Sequence, residues 1–154
     1  MTAEPTTTGQ LVDLIRQGVL PSVGTEMDGE GMLDVMTELL TEAAHPDFVT
    51  IMVDQTGRAA EHLGIAGFRE GLSDFMSPYE RYRLRIDEVI EAGNALVFLV
   101  RQIGVTKHGG VEVESPGATV WWVEDGSIMQ TAFYIDQRAA LKAAGIDPDR
   151  RQGG

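Results

Sequence analysis

From Tyr79 to Ile135 the chain reads as four strands in direct succession, and this run constrains the fold more than any other feature of the sequence. Tyr82, Leu84 and Ile86 alternate with Arg81, Arg83, Arg85 and Asp87, so apolar and charged side chains fall on opposite faces of a strand that stops at Gly93-Asn94. Ala95 to Val105 is almost continuously apolar, interrupted by Arg101 and Gln102, and Lys107 to Gly110 supplies the next turn. Val111 to Val123 reads as a third strand with an irregularity expected at Pro116-Gly117. After Glu124-Asp125-Gly126 a fourth runs from Ser127 to Ile135. Strands joined by turns this short pair antiparallel, because a parallel return needs a crossover of a dozen residues or more.

The segments before this meander carry a different period. Leu11, Leu14, Ile15 and Val19 recur at helical spacing and Pro21 closes that helix. TEMDGEG reads as a Gly-rich linker, and Met32, Val35, Met36, Leu39, Leu40 and Ala43 form a second helical stripe that ends at His45-Pro46. Phe48 to Val53 is a β-branched, apolar strand. Gly57 to Pro78 returns to helical spacing through Ile65, Phe68, Leu72, Phe75 and Met76. Asp136 is placed to cap a closing helix, QRAALKAAG, with Gly145 at its exit. The fold class expected is α+β, with helices packed on one face of an antiparallel sheet whose strongly twisted meander can curl into a cone. Residues 1–9 are expected to be disordered, 10–28 to form an N-terminal helix and linker, 29–146 the domain, and 147–154 a flexible tail.

Charge narrows the partners. The 154 residues hold 24 acidic against 12 basic side chains, with 13 and 3 of them in residues 1–77. Affinity for nucleic acid comes from clustered cations that release counterions, and the one cluster, Arg81, Arg83 and Arg85, reads either as a solvated strand face or as an anion site. No nucleic-acid partner is expected. No membrane partner is expected either, since no apolar run approaches the roughly 18–20 residues that span a bilayer. The first ten residues lack a secretory pattern, so the cytoplasm is the expected location. With no cysteine, and with His45, His62 and His108 not at metal-ligand spacing, no metal and no cofactor are expected. His45 falls at a helix end, His62 at a helix start and His108 in a turn. GxGxxG, GxxxxGK[ST] and GxSxG patterns are absent.

Four segments, GIAGFREGLSDF, PYERYRLRIDEVIEAGNALVFLVRQIG, VWWVEDGSI and FYIDQRAALKAAGI, with Gly67, Gly93, Trp121, Asp125-Gly126, Tyr134 and Ala140-Leu141 in order, resemble the SnoaL-like branch of the nuclear transport factor 2-like superfamily over residues 29–146. The resemblance implies a deep apolar cavity inside the curved sheet and homodimers formed through the outer sheet face. Members include polyketide cyclases, ketosteroid isomerases, limonene epoxide hydrolases and non-catalytic modules, so the fold alone does not settle function.

Carried over residue by residue, the relatives' catalytic positions are mostly lost. An aspartate on the last strand of the cyclases and epoxide hydrolases corresponds to Phe133. The arginine of the hydrolases' arginine–aspartate pair matches Arg101, while its partner position is Ile103. Their water-orienting positions correspond to Thr50 and Met52, and the isomerase base also falls at Met52. Asp54 shares a strand face with residues 50 and 52, which makes it either the surviving base, with a carboxyl raised by desolvation, or a turn former before Gln-Thr-Gly. Arg101 reads either as a ligand-facing cation or as the partner of a carboxylate such as Glu112 or Glu114. The catalytic candidates are therefore Asp54 and Arg101. Thr50, Met52, Tyr82, Ile103, Trp121, Thr131, Phe133 and Tyr134 are the expected ligand-lining positions, although for Tyr82 and Tyr134 plain aromatic packing is the alternative. Trp121 and Trp122 face opposite ways, one toward the cavity and the other toward a helix or a second copy.

Two functions fit these residues. One is a cofactor-independent cyclase, isomerase or hydrolase acting on a small apolar cyclic or polyketide-like carbonyl compound. The other is a non-catalytic small-ligand-binding or dimeric assembly module. The absent acid–base groups favour the module; an enclosing mode of catalysis, which needs few polar groups, keeps the enzyme in play.

Overall fold

A computed structural model of the chain describes residues 7–17, 22–54 and 56–149. Its elements run α1 (Thr8–Arg16), β1 (Glu26–Asp28), α2 (Gly29–Ala43), β2 (Ala44–Val53), β3 (Ala59–Leu63), α3 (Gly64–Met76), β4 (Tyr79–Ala92), β5 (Ala95–Thr106), β6 (Glu112–Glu124), β7 (Ser127–Tyr134) and α4 (Gln137–Ala143). β4 to β7 form the antiparallel meander, β7 pairs in parallel with β2, and the strand order is β1-β4-β5-β6-β7-β2-β3. This is the α+β class expected, with a curved sheet that does not close. Its curvature has local causes. Register shifts between Ile86 and Glu88, between Trp122 and Val123, and between Ala44 and Val49 each insert unpaired residues, which bend the strand and raise its twist.

The bend gives the sheet an inner and an outer face, each with its own core. Inside, α2 and α3 pack Met32, Met36, Leu40, Phe68 and Leu72 against Leu84, Ile86, Leu96, Phe98, Val100 and Trp121. Phe68, fully buried, touches Phe48 and Phe133 with ring centroids 6.5 and 6.1 Å apart. Outside, Ala140 and Leu141 of α4 cover Val97, Leu99 and Val120, with Trp122 against the same cluster. Because β5 is packed on both faces, its unbroken apolar run is explained. Asp136 caps α4 by accepting from the Arg138 amide at 2.9 Å, as its position predicts.

Three expectations need correction. The linker holds a strand, β1, which pairs with Arg83 to Arg85 of β4, and Asp28 at its end caps α2 by accepting from the Gly31 amide at 2.7 Å. The helix read over residues 57–78 is shorter: Ala59–Leu63 is a strand on β2, and α3 starts only at Gly64, where φ is +68°. Good helix formers were overruled by pairing to an open sheet edge. His62 accordingly sits on β3 opposite Thr50, with its ring against α3, where a Cβ at Gly71 would lie 3.0 Å from the imidazole. Finally, β6 pairs with β5 without a shift through Arg101↔Pro116. The β6–β7 ladder starts only at Ala118, so proline's missing N–H breaks no bond with β7.

At the termini, α1 buries Leu11 to 1 % exposure in the inner core, and the Thr8 hydroxyl donates to the Gly93 carbonyl at 3.0 Å. Residues 1–6, Val19 and Pro21, and 150–154 lie outside the described residues. Of the tail, Asp149 is tied to Arg138 at 2.7 Å. No helix among the described residues is long and apolar enough to cross a membrane.

Candidate functional site

Residues directly opposite one another in neighbouring strands share a face, so the register identifies the main inward row of side chains. Leu84 lies opposite Gln102, Val100 opposite Gly117, Phe98 opposite Thr119 and Leu96 opposite Trp121. The series continues with Thr119 opposite Phe133, Trp121 opposite Thr131, Thr131 opposite Thr50 and Phe133 opposite Met52. Between this wall and the helices lies a pocket of about 290 Å³. Met52, Phe133, Val100, Leu84 and Ala118 of the sheet line it with Met32, Leu72 and Phe75 of the helices. At its rim stand Asp54, Arg58, Tyr134 and Ile135. A deeper void of about 20 Å³, bounded by Leu11, Met27, Met36, Phe98 and Trp121, holds at most about one water.

Apart from Asp54 and Arg58 at the rim, few polar groups reach the pocket, and they are neutral. The Tyr82 hydroxyl donates to Gln102 Oε1 at 2.6 Å, which orients the carboxamide. Gln102 Nε2 donates to the Pro116 carbonyl across a long 3.4 Å, and its second N–H has no acceptor among the described residues. This amide fits because residue 117 is glycine: a Cβ there would lie 2.5 Å from Nε2. Thr119 Oγ1 accepts from Trp121 Nε1 at 2.8 Å, which leaves the threonine proton without an acceptor among the described residues. Burial pushes the Tyr82 phenol far above its ordinary value, with Tyr79 adding to the shift. Burial raises the Tyr134 phenol as well. Both are protonated at neutral pH.

Asp54 is exposed, at the turn between β2 and β3. Its Oδ1 accepts from the Thr56 hydroxyl at 2.6 Å, the Thr56 amide at 2.9 Å and the Arg58 amide at 3.0 Å. The hydroxyl bond, the two amides and the Arg58 charge hold its carboxyl below the usual aspartate value, against a smaller upward push from desolvation. The shift is therefore opposite to that expected of a buried base, and the geometry is that of a turn former that also borders the pocket.

The other candidates divide into those that border a space and those that do not. Met52, Tyr82, Phe133 and Tyr134 border the pocket, and Trp121 borders the deep void. Thr50 and Thr131 are fully buried, share a hydrogen bond of 3.1 Å and border neither space. Arg101 and Ile103 lie on the outer face, because Val100 and Gln102 are the residues of β5 turned inward. Arg101 Nε is 3.6 Å from Glu114 Oε1 and 3.9 Å from Asp87 Oδ2, and that buried atom has no hydrogen-bond partner. Ile103 instead borders an open groove of about 660 Å³ beside the start of α2. Arg83 and Arg85 on the same outer face pair with Glu26 at 2.9 Å and Asp87 at 3.1 Å.

Sequence reasoning missed Gln102, Thr119 and Arg58. Gln102 had a legible signal, since it has the parity of Phe98 and Val100 and lies across from Leu84; Thr119 and Arg58 had none. Among the described residues no three His, Cys, Asp or Glu side chains are grouped to hold a metal ion.

Residues 29–131 match the family model described as SnoaL-like domain. No protein of curated function matches the chain. Among solved structures, it is similar to an NTF2-like protein from Burkholderia thailandensis, with 16% identity over 90% of this chain and 97% of that one and a TM-score of 0.62. It is similar also to a protein from a Jannaschia species classed, provisionally, as a SnoaL-like polyketide cyclase, with 19% identity over 96% and 99% and a TM-score of 0.58. A third is TerC, co-crystallized with polyporic acid, with 22% identity over 76% and 92% and a TM-score of 0.55. Likeness at these identities establishes the fold alone.

Proposed function

The chain belongs to the SnoaL-like domain family, and from that premise we propose that it encloses a small apolar cyclic or polyketide-like carbonyl compound in the pocket behind Asp54 and promotes its rearrangement by shape and hydrogen-bond donation, without a buried acid–base pair. The observation that carries this reading is the chemistry of the inner wall: apolar surface interrupted by two neutral donors with protons to spare, Gln102 Nε2 and the Thr119 hydroxyl. A ligand carbonyl is the complementary acceptor. Enclosure fixes the conformation of a reactive chain, and donors aimed at an oxygen that gains negative charge stabilise an enolate more than the ketone. The Arg58 guanidinium at the rim favours a ligand with an acidic group at its outer end. TerC, of like fold, was co-crystallized with polyporic acid, and that supports a ligand with an acidic group.

In this reading Asp54 holds the rim turn, and Arg101 takes no part in the reaction. A second reading, binding without turnover, is favoured by one observation: the lowered Asp54 carboxyl is the only carboxylate on the described pocket lining. We also propose a homodimer through the outer sheet face, the arrangement that the family resemblance implies.

The test is thermal shift with apolar carbonyl compounds, followed by product analysis on those that bind. A ligand at one hundred times its Kd stabilises by about 2.7 kcal/mol, a rise of roughly 5–11 °C for a domain of this size. Gln102→Leu is expected to weaken binding about three- to tenfold, the worth of one hydrogen bond. An unchanged Kd in that variant refutes the assigned donor; a shift without product selects the binding module.

A further inference from the structure

The pocket and the groove beside α2 are neighbours, and Tyr82 is the one residue common to both linings. Its ring is fixed from two sides, edge-on by Phe75 with centroids 5.8 Å apart at 89°, and by Tyr79 at 5.7 Å and 42°. Its hydroxyl is tethered to Gln102 Oε1 at 2.6 Å. The start of α2 closes against the same ring through a residue with no side chain: a Cβ at Gly29 would meet Met76 Sδ and lie 3.3 Å from Tyr82 Cδ1. A half-buried tyrosine held by two rings, a hydrogen bond and a glycine contact is a wall fixed in place.

We propose that Tyr82 is the specificity-determining residue of this site, a partition that sets the greatest length of ligand the pocket accepts. The proposal rests on the proposed ligand class. Small-molecule sites span about 300–1,000 Å³. The pocket alone, about 290 Å³, stands at the bottom of that range and suits a compact molecule of about two fused rings. The groove, about 660 Å³, is the larger of the two but open and edged by Glu30, Glu80, Arg81 and Glu112. Removing the phenol ring joins the spaces into one near the top of the range, long enough for a linear polycycle with its far end among charged side chains. Tyr82 thus selects by volume, whereas Gln102 selects by hydrogen bonding.

The experiment compares two probes, alpha-tetralone, a two-ring ketone, and tetracenequinone, a linear four-ring diketone, by titration against tryptophan fluorescence in the full chain. The wild type is expected to bind tetralone and to exclude tetracenequinone. Tyr82→Ala should gain about tenfold or more for tetracenequinone relative to tetralone, the effect of burying the extra rings. Tyr82→Val, which keeps a strand-favouring residue, gives the same reading should the alanine variant not fold. Tyr82→Phe keeps the ring and should retain the wild-type ratio between the probes, even where both weaken through the lost bond to Gln102. A purely structural tyrosine lowers both affinities together and leaves the ratio alone. An unchanged ratio in the alanine and valine variants, or a wild type that takes both probes equally, overturns the partition while the ligand class survives on tetralone binding. A wild type that binds neither probe refutes the ligand class. The partition then stands only where a truncated variant alone takes tetracenequinone, and falls where none does.

Discussion

Replacing Thr50 and Thr131, singly and together, by valine tests how the inner wall is held. The two side chains are fully buried, face each other across the parallel β2–β7 ladder and share one hydrogen bond of 3.1 Å. Valine keeps the shape and the β-branch, so each single change removes a hydroxyl and orphans its partner. An orphaned buried hydroxyl costs about 1–3 kcal/mol, whereas removal of both partners by groups of the same shape is nearly neutral. Each single variant should therefore lose about 1–3 kcal/mol, roughly 2–12 °C in Tm. The double variant should fall within about 1 kcal/mol of the wild type, far from the roughly 2–6 kcal/mol of simple addition. Urea unfolding of the four proteins measures this directly, with a constant slope as the check that the denatured state is unchanged. Additive losses, or singles as stable as the wild type, would refute the claim that these hydroxyls satisfy one another.

Asp54→Asn should lower stability most near neutrality. Ionised Asp54 is stabilised in the folded state, so its contribution is present above the ordinary aspartate value and is lost as pH falls through the lowered one. A gap between the two proteins that stays constant on acidification would remove Asp54 from the turn's hydrogen bonding. Arg101→Leu should change stability by less than about 1 kcal/mol, since the side chain is 37% exposed and its carboxylate contacts are long. It should also leave tetralone affinity within about twofold, and a tenfold loss would return Arg101 to the ligand. Because Tyr82 and Tyr134 are both raised, tetralone binding should be flat from about pH 6 to 9, and a sigmoidal loss there would reveal a phenolate.

The meander was legible because alternation in Tyr82 to Ile86 and the turns after it are local signals. β3 was not: AAEHL contains strong helix formers, and only the free edge of β2 makes it a strand. β1, three residues long, exists solely through its pairing with β4. The site was half legible for a related reason. A strand buried on both faces has no hydropathy contrast, so the inward parity of β5 could not be read from Ala95 to Val100 alone. Its neighbour holds the answer: Leu84 points inward and pairs with Gln102, which turns Arg101 and Ile103 outward. Correspondence with relatives had set the opposite phase.

Gly117 has an effect beyond its own strand. The atom a methyl group would strike is the far end of a flexible carboxamide, so the backbone could tolerate Gly117→Ala at little cost while the amide swings away from the oxygen it now faces. One carbon on β6 thereby decides whether the Gln102 amide faces a bound molecule, without altering any residue that touches it. Descendants of this chain can thus retune what they accept through a position that sequence comparison of contact residues would pass over.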